Sequence, residues 1–105
     1  MLRLNRLAII PARGGSKRIR NKNLIDFDGK PIIKYTIDNA NKSKLFDTIH
    51  VSTESQKILN YLKKIKINPV FKRLKKYAGD NIGLLETLKF VVNEYKKRKI
   101  IFKEI

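Results

Sequence analysis

Arg13-Gly14-Gly15-Ser16-Lys17, with Arg18, Arg20, Lys22 and Asn23 close behind, joins very permissive backbone to the chain's densest positive charge. Glycine has no Cβ, so main-chain N–H groups beside it can come close to an anion. The cationic heads of Arg13, Lys17 and Lys22 could then surround that anion, and Ser16 adds a hydroxyl donor. A lysine about 4 Å from a phosphate charge contributes roughly 4 kcal/mol in a moderately polar setting, before desolvation is subtracted. Several cations in one place therefore suit a ligand with several negative charges, and the chemistry favoured is capture of a polyphosphate. Two common phosphate signatures are excluded by spacing. The Walker pattern needs a longer gap before its Gly-Lys pair than Gly14-Gly15-Ser16-Lys17 provides. The dinucleotide pattern needs a third glycine near Arg18, and none is there. The bland alternative is a flexible, solvated basic loop.

Such a loop needs a strand to carry it. Leu7-Ala8-Ile9-Ile10 is a continuous apolar run ending at Pro11, as in a strand covered on both faces of a parallel sheet. The loop at 12–23 leaves the carboxyl end of that strand, where open α/β sheets bind ligands. Residues 12–30 read as loop. Gly29-Lys30-Pro31 reads as a helix start, and Ile33, Ile37 and Ala40 share one face of a helix over 31–42. A second strand is expected over 46–53. Thr53 and Gln56 have capping-box spacing for a helix striped by Ile58, Leu59, Leu62 and Ile65. "NPVF" at 68–71 reads as a short third strand and 72–82 as an irregular basic link. Leu84, Leu85, Leu88, Val91, Val92 and Tyr95 repeat at helical spacing, and 99–105 opens a fourth strand. The alternation of strands and helices predicts a parallel sheet layered by helices.

One domain is the most that 105 residues suggest, and 42% hydrophobic content places it in the globular class. A formal charge of +16 predicts anionic partners without naming them, although many lysines fall on what read as exposed helix faces. The absence of cysteine excludes disulfides and thiolate metal sites, and is compatible with a reducing cytoplasm. No apolar run approaches a membrane span, and the apolar part of "MLRLNRLAII" is too short for a secretory signal. A parallel α/β chain rarely stops inside a strand, so an end at Ile105 reads as the front part of a larger domain.

Other polar residues receive structural readings. Asp26 and Asp28 suit a turn and pairing with nearby lysines better than a metal pair. Asp80 suits a cap for the last helix better than a place beside the ligand. His50, the only histidine, sits mid-strand and cannot by itself make a metal cluster.

The stretch "IIPARGGSKRIRNKNL" resembles the signature of the acylneuraminate cytidylyltransferases (CMP-sialic acid synthetases) and their nonulosonic-acid relatives. "FDGKPIIKYTIDNA", "LFDTIHVSTES" and "FKRLKKYAGD" are similar to later blocks of that family, in the same order. The resemblance implies a three-layer α/β/α fold with a mostly parallel sheet, the Rossmann-like nucleotide-diphosphosugar transferase fold, present incompletely. Residues 1–105 would be the N-terminal, nucleotide-binding part of such a domain. The reaction implied is attack of the anomeric hydroxyl of a 2-keto-3-deoxy sugar acid on the α-phosphate of CTP, with pyrophosphate leaving and Mg²⁺ assisting. By the same resemblance Arg13, Ser16, Lys17 and Lys22 would hold the triphosphate, Gly14 and Gly15 would line it, and Asn23 would lie close to the nucleotide. Arg73 matches a family arginine near the nucleotide, and Ser52 stands at a second strand's carboxyl end beside the same pocket. Departures are Leu74 in place of a usual proline, Gly83 and Leu84 where Ser or Thr is usual, and Glu54 in place of Asp. The family is about twice this long, and its metal-binding aspartates and dimerising segment lie in the second half. No Mg²⁺ ligand is therefore expected in this chain, and a homodimer only where that half is present. A cytoplasmic location follows from the same expectation. The alternative function is a small basic nucleic-acid-binding protein without catalysis, which the charge alone would also explain.

Overall fold

The computed structural model describes residues 2–15, 21–79 and 81–105. Its centre is a long strand, β1 (Leu2–Pro11), flanked in parallel by β4 (Thr48–Ser52) and β5 (Ile100–Glu104) in the order β4-β1-β5. The two neighbours use different halves of β1. Leu7 to Pro11 pair with Thr48 to Ser52, whereas Leu2 to Arg6 pair with Ile100 to Glu104. β5 therefore stops short of the carboxyl end of β1, and a gap opens there beside Pro11.

Side chains alternate across a strand, so β1 feeds two cores. Ile10 and the following Ala12 join Val51 beneath α1 (Ile32–Ser43) and α2 (Gln56–Lys64), whose Ile33, Ile37, Ile58 and Leu62 complete an aliphatic cluster. Leu7 and Ile9 point the other way, toward α3 (Leu84–Lys97), where Val91, Tyr95, Phe71, Phe90, Ile100 and Phe102 close a more aromatic cluster. The result is the expected three-layer α/β/α arrangement around a parallel sheet.

Several local expectations are corrected. The segment at 68–71 is not a strand: Pro69 brings no N–H, Val70 stays exposed, and Phe71 turns its ring onto His50 and Tyr95. Among the described residues the parallel sheet thus has three strands rather than four. The first strand reaches back to Leu2. The cap of α2 is Ser55, whose hydroxyl accepts the Ile58 N–H, while Thr53 Oγ1 accepts the N–H of Ser55 instead. The N-cap of α3 is Gly83, not Asp80, and Asp80 lies outside the described residues. Leu84 and Leu85 do not join the core; they are 62% and 63% exposed, because the first turn of α3 runs past the sheet. Within the stretch read as loop, β2 (Asp26–Phe27) and β3 (Lys30–Pro31) form a hairpin, turned by Asp28 and Gly29 at φ of 51° and 93°. The turn expected of Asp28 is thus seen, but Lys30 pairs with Asp38, as does Lys34.

His50 is packed, as expected of a lone mid-strand histidine. Its Nδ1 lies 3.1 Å from the Tyr95 hydroxyl, and the Phe71 ring is 4.4 Å away. Burial first, and the nearby charge of Arg73 second, hold its pKa down at about 4, so the ring is neutral near pH 7.

Candidate functional site

The last backbone bond of the β1 ladder runs from the Ala12 N–H to the Ser52 carbonyl at 2.9 Å. Beyond it the chain enters the gap that β5 leaves open. A cleft of about 340 Å³ lies there, lined by Pro11, Arg13, Lys22, Asn23, Arg73, Ile82, Leu84 and Thr87. Its volume falls within the ordinary range for small-molecule sites. Three of its walls come from separate places in the sequence. Arg13 follows the strand, and Lys22 and Asn23 stand on a single 3-10 turn, Lys22–Leu24, entered through Asn21 in the left-handed conformation. Arg73 crosses from the far side, and the first turns of α3 close the remaining edge.

Arg73 is 5% exposed and fixed by three contacts. Its Nε donates to Ser52 Oγ at 3.0 Å, its Nη2 to the Ser52 carbonyl at 3.0 Å, and its own N–H to the Thr53 carbonyl at 2.8 Å. Burial lowers its pKa from the ordinary arginine value; the Glu54 carboxylate opposes that shift and the like charge of Arg13 adds to it. A guanidinium remains charged under all such shifts. An anion that entered the cleft would meet both guanidinium groups.

The residues singled out in the sequence separate into three groups. Arg13, Lys22, Asn23 and Arg73 meet at the cleft. Ser52 is buried behind Arg73 and holds it, and does not itself line the cleft. Gly14 and Gly15 differ from one another. The Gly14 N–H donates to Glu54 Oε1 at 2.5 Å, and a Cβ on Gly14 would stand 2.5 Å from the Ser55 Cβ. Gly14 is thus required by close approach to Ser55, with its amide directed to a carboxylate. Gly15 is exposed, with open space where a side chain would stand. Ser16 and Lys17 lie outside the described residues.

Sequence reasoning missed Glu54 and Ser55 as neighbours of the loop. The signal was present: both follow the carboxyl end of β4, and parallel pairing brings that end beside the carboxyl end of β1. It also missed Thr87 and Ile82 as cleft walls, which lie where no strand precedes them. Leu84 lines the cleft at one of the positions already marked as a departure from the family pattern.

A metal fits poorly here. The cleft-lining residues include no carboxylate, and among the described residues no group of three or more His, Cys, Asp or Glu side chains could hold an ion. A wider groove of about 720 Å³ runs along α3 between Tyr77, Phe90 and Lys97, but none of the residues selected for chemistry lines it. No helix among the described residues is long and apolar enough to cross a membrane.

A family model described as Cytidylyltransferase matches residues 7–102. The pseudaminic acid cytidylyltransferase of Campylobacter jejuni subsp. jejuni is 46% identical over 77 residues, covering 73% of this chain and 33% of that protein. The CMP-N,N'-diacetyllegionaminic acid synthase of Legionella pneumophila is 31% identical over 99 residues, 94% of this chain and 43% of that protein. The N-acylneuraminate cytidylyltransferase of Escherichia coli is 46% identical over 55 residues, 52% of this chain and 13% of that protein. The match thus spans about a third of the length of the Campylobacter relative.

Proposed function

The chain belongs to the cytidylyltransferase family, and from that premise we propose that its cleft receives the triphosphate of CTP for activation of a nonulosonic sugar acid. The observation that carries this reading is the convergence of Arg13, Lys22, Asn23 and Arg73 on one cleft at the carboxyl end of β1. In the proposed reaction the anomeric hydroxyl of a 2-keto-3-deoxy sugar acid attacks the α-phosphorus. A bond from that oxygen to phosphorus forms as its proton passes to water, the bond to the bridging oxygen breaks, and pyrophosphate departs with the electron pair. Nucleotidyl transfer needs positioning and charge neutralisation more than covalent help from the protein. Arg13, Lys22 and Arg73 supply the neutralisation, Ser52 keeps Arg73 aimed, and Asn23 offers an amide to the nucleotide. Ser16, Lys17 and the amide of Gly15 complete the proposed cradle by the family resemblance. The names of the relatives favour a sugar of the pseudaminic, legionaminic or neuraminic class. The Mg²⁺ that the resemblance implies finds no carboxylate in the cleft wall, so no step is routed through it.

The alternative of a nucleic-acid-binding module has only the net charge of +16 in its favour. Among the described residues, basic residues end α1, α2 and α3, which lie on opposite faces of the sheet, so these helix-end charges do not gather on one face. Calorimetric titration separates the two readings. CTP should bind saturably, be displaced by pyrophosphate and be unaffected by duplex DNA. Salt-sensitive DNA binding with no response to CTP would replace this reading by the other.

A further inference from the structure

Two of the cleft's cations, Arg13 and Lys22, flank a loop whose two ends meet, and Glu54 and Ser55 hold that junction from outside the loop. The Gly14 N–H donates to Glu54 Oε1 at 2.5 Å, and the Gly14 carbonyl accepts the Asn21 N–H at 2.5 Å. The Asn21 side-chain oxygen accepts the Ser55 hydroxyl at 3.0 Å, and that same hydroxyl oxygen accepts the Ile58 N–H in the first turn of α2 at 3.3 Å. Of these four hydrogen bonds, one joins residues 14 and 21, two tie them to Glu54 and Ser55, and the last caps α2 through the same Ser55 hydroxyl. Arg13 immediately precedes one tied residue and Lys22 immediately follows the other, and both line the cleft. Wherever the tie sets the backbone, it sets the roots of these two cations.

We infer that Glu54 is a positioning residue for the nucleotide, with Ser55 as its helper: the carboxylate fixes Gly14, and so fixes where Arg13 and Lys22 stand. This rests on the nucleotide reading proposed above. Electrostatics alone would give Glu54 the opposite effect. A carboxylate beside an anion site repels the anion, so its presence there calls for a geometric role. Its other oxygen, Oε2, is buried and has no hydrogen-bond partner among the described residues. Such a group is costly to hold, which argues against an incidental surface carboxylate. Its charge also counters the unfavourable burial of Arg73, across the cleft from the tied loop.

The two effects differ in sign, and this makes the inference testable. E54A removes both the charge and the acceptor; E54Q removes the charge and retains an acceptor oxygen for Gly14. If Glu54 positions the loop, E54A weakens CTP binding by about tenfold, while E54Q recovers affinity to within about threefold of the wild type or better. Hydrogen exchange at the Gly14 amide should accelerate in E54A and stay slow in E54Q. E54A binding CTP as tightly as the wild type, or more tightly, would overturn the inference and leave the nucleotide reading intact. Failure of the wild type to bind CTP would remove the nucleotide reading itself, and the positioning role with it. Should E54A not fold, S55A gives a second test. It cuts the link to Asn21 and should weaken CTP binding about threefold; unchanged affinity would count against the role.

Discussion

The two faces of the sheet are built from different chemistry. Under α1 and α2 the core is Ile33, Ile37, Val51, Ile58 and Leu62, aliphatic and closed. Under α3 the core is aromatic, and it holds His50, Ser52, Arg73 and Thr87, four of the five buried polar residues among those described. Buried polar groups call for partners, and here most find one: Arg73 in Ser52, the Thr87 hydroxyl in the Gly83 carbonyl, and His50 Nδ1 in the Tyr95 hydroxyl, while His50 Nε2 has no partner among the described residues. The aliphatic face keeps the chain folded, and the polar face holds the arginine that reaches the cleft. Changes on the first should register in stability, and changes on the second in pH response and ligand affinity.

The largest effect is expected on the aliphatic face. Ile37 is fully buried, and Ile37→Ala should lower the free energy of unfolding in urea by about 4 kcal/mol through lost burial and a cavity. The molecules that remain folded should bind CTP as the wild type does; a parallel loss of affinity would erase the distinction between the faces. Next is His50. Its folded pKa of about 4 lies below the ordinary 6.5, so an unfolded chain takes up a proton first as pH falls. Stability from this source is full above pH 6.5, declines down to about 4 and is level below. The decline should amount to about 3 kcal/mol, and His50→Gln should abolish it. Asp38, whose pKa of about 2 is set by hydrogen bonds from Lys30 and then Lys34, acts in a separate window between 3.8 and 2. Persistence of the slope above pH 4 in H50Q would assign it elsewhere.

Smaller effects follow at the cleft. Lys22→Ala should weaken CTP binding roughly tenfold with little change in urea midpoint, since the side chain is exposed. Ser55→Ala should cost about 1 kcal/mol of stability by removing the cap of α2. A loss near zero would show that the Asn21 and Ile58 contacts are replaced by water.

Much of this arrangement was legible in the sequence because it depends on local pattern. The apolar run before Pro11 revealed β1, helical spacing gave Ile33 and Ile37 their shared face, and glycines beside cations marked the loop. Harder to read were features decided by tertiary contact. α2 starts at Gln56 and takes Ser55 rather than Thr53 as its cap, and the same hydroxyl also meets Asn21, which lies 34 positions earlier in the chain. Gly14 looks like a phosphate-approach glycine, yet its Cα is pressed against Ser55 and its amide turned to Glu54. Leu84 and Leu85 keep helical spacing but project beyond the sheet, because periodicity specifies a face and not what covers it. The apolar Val70 and Phe71 suggest a strand at 68–71, whereas Pro69 brings no N–H and Phe71 packs into the aromatic cluster.

The central claim is that Arg13, Lys22, Asn23 and Arg73 act together on one triphosphate. Titrating CTP into the ¹⁵N-labelled chain while following backbone amides and arginine Nε–H signals tests it most directly. The account predicts saturable shifts at these four residues with a single dissociation constant, and little movement along the outer face of α3. Shifts scattered over the lysines of all three helices, with Arg73 Nε–H unmoved, would contradict it.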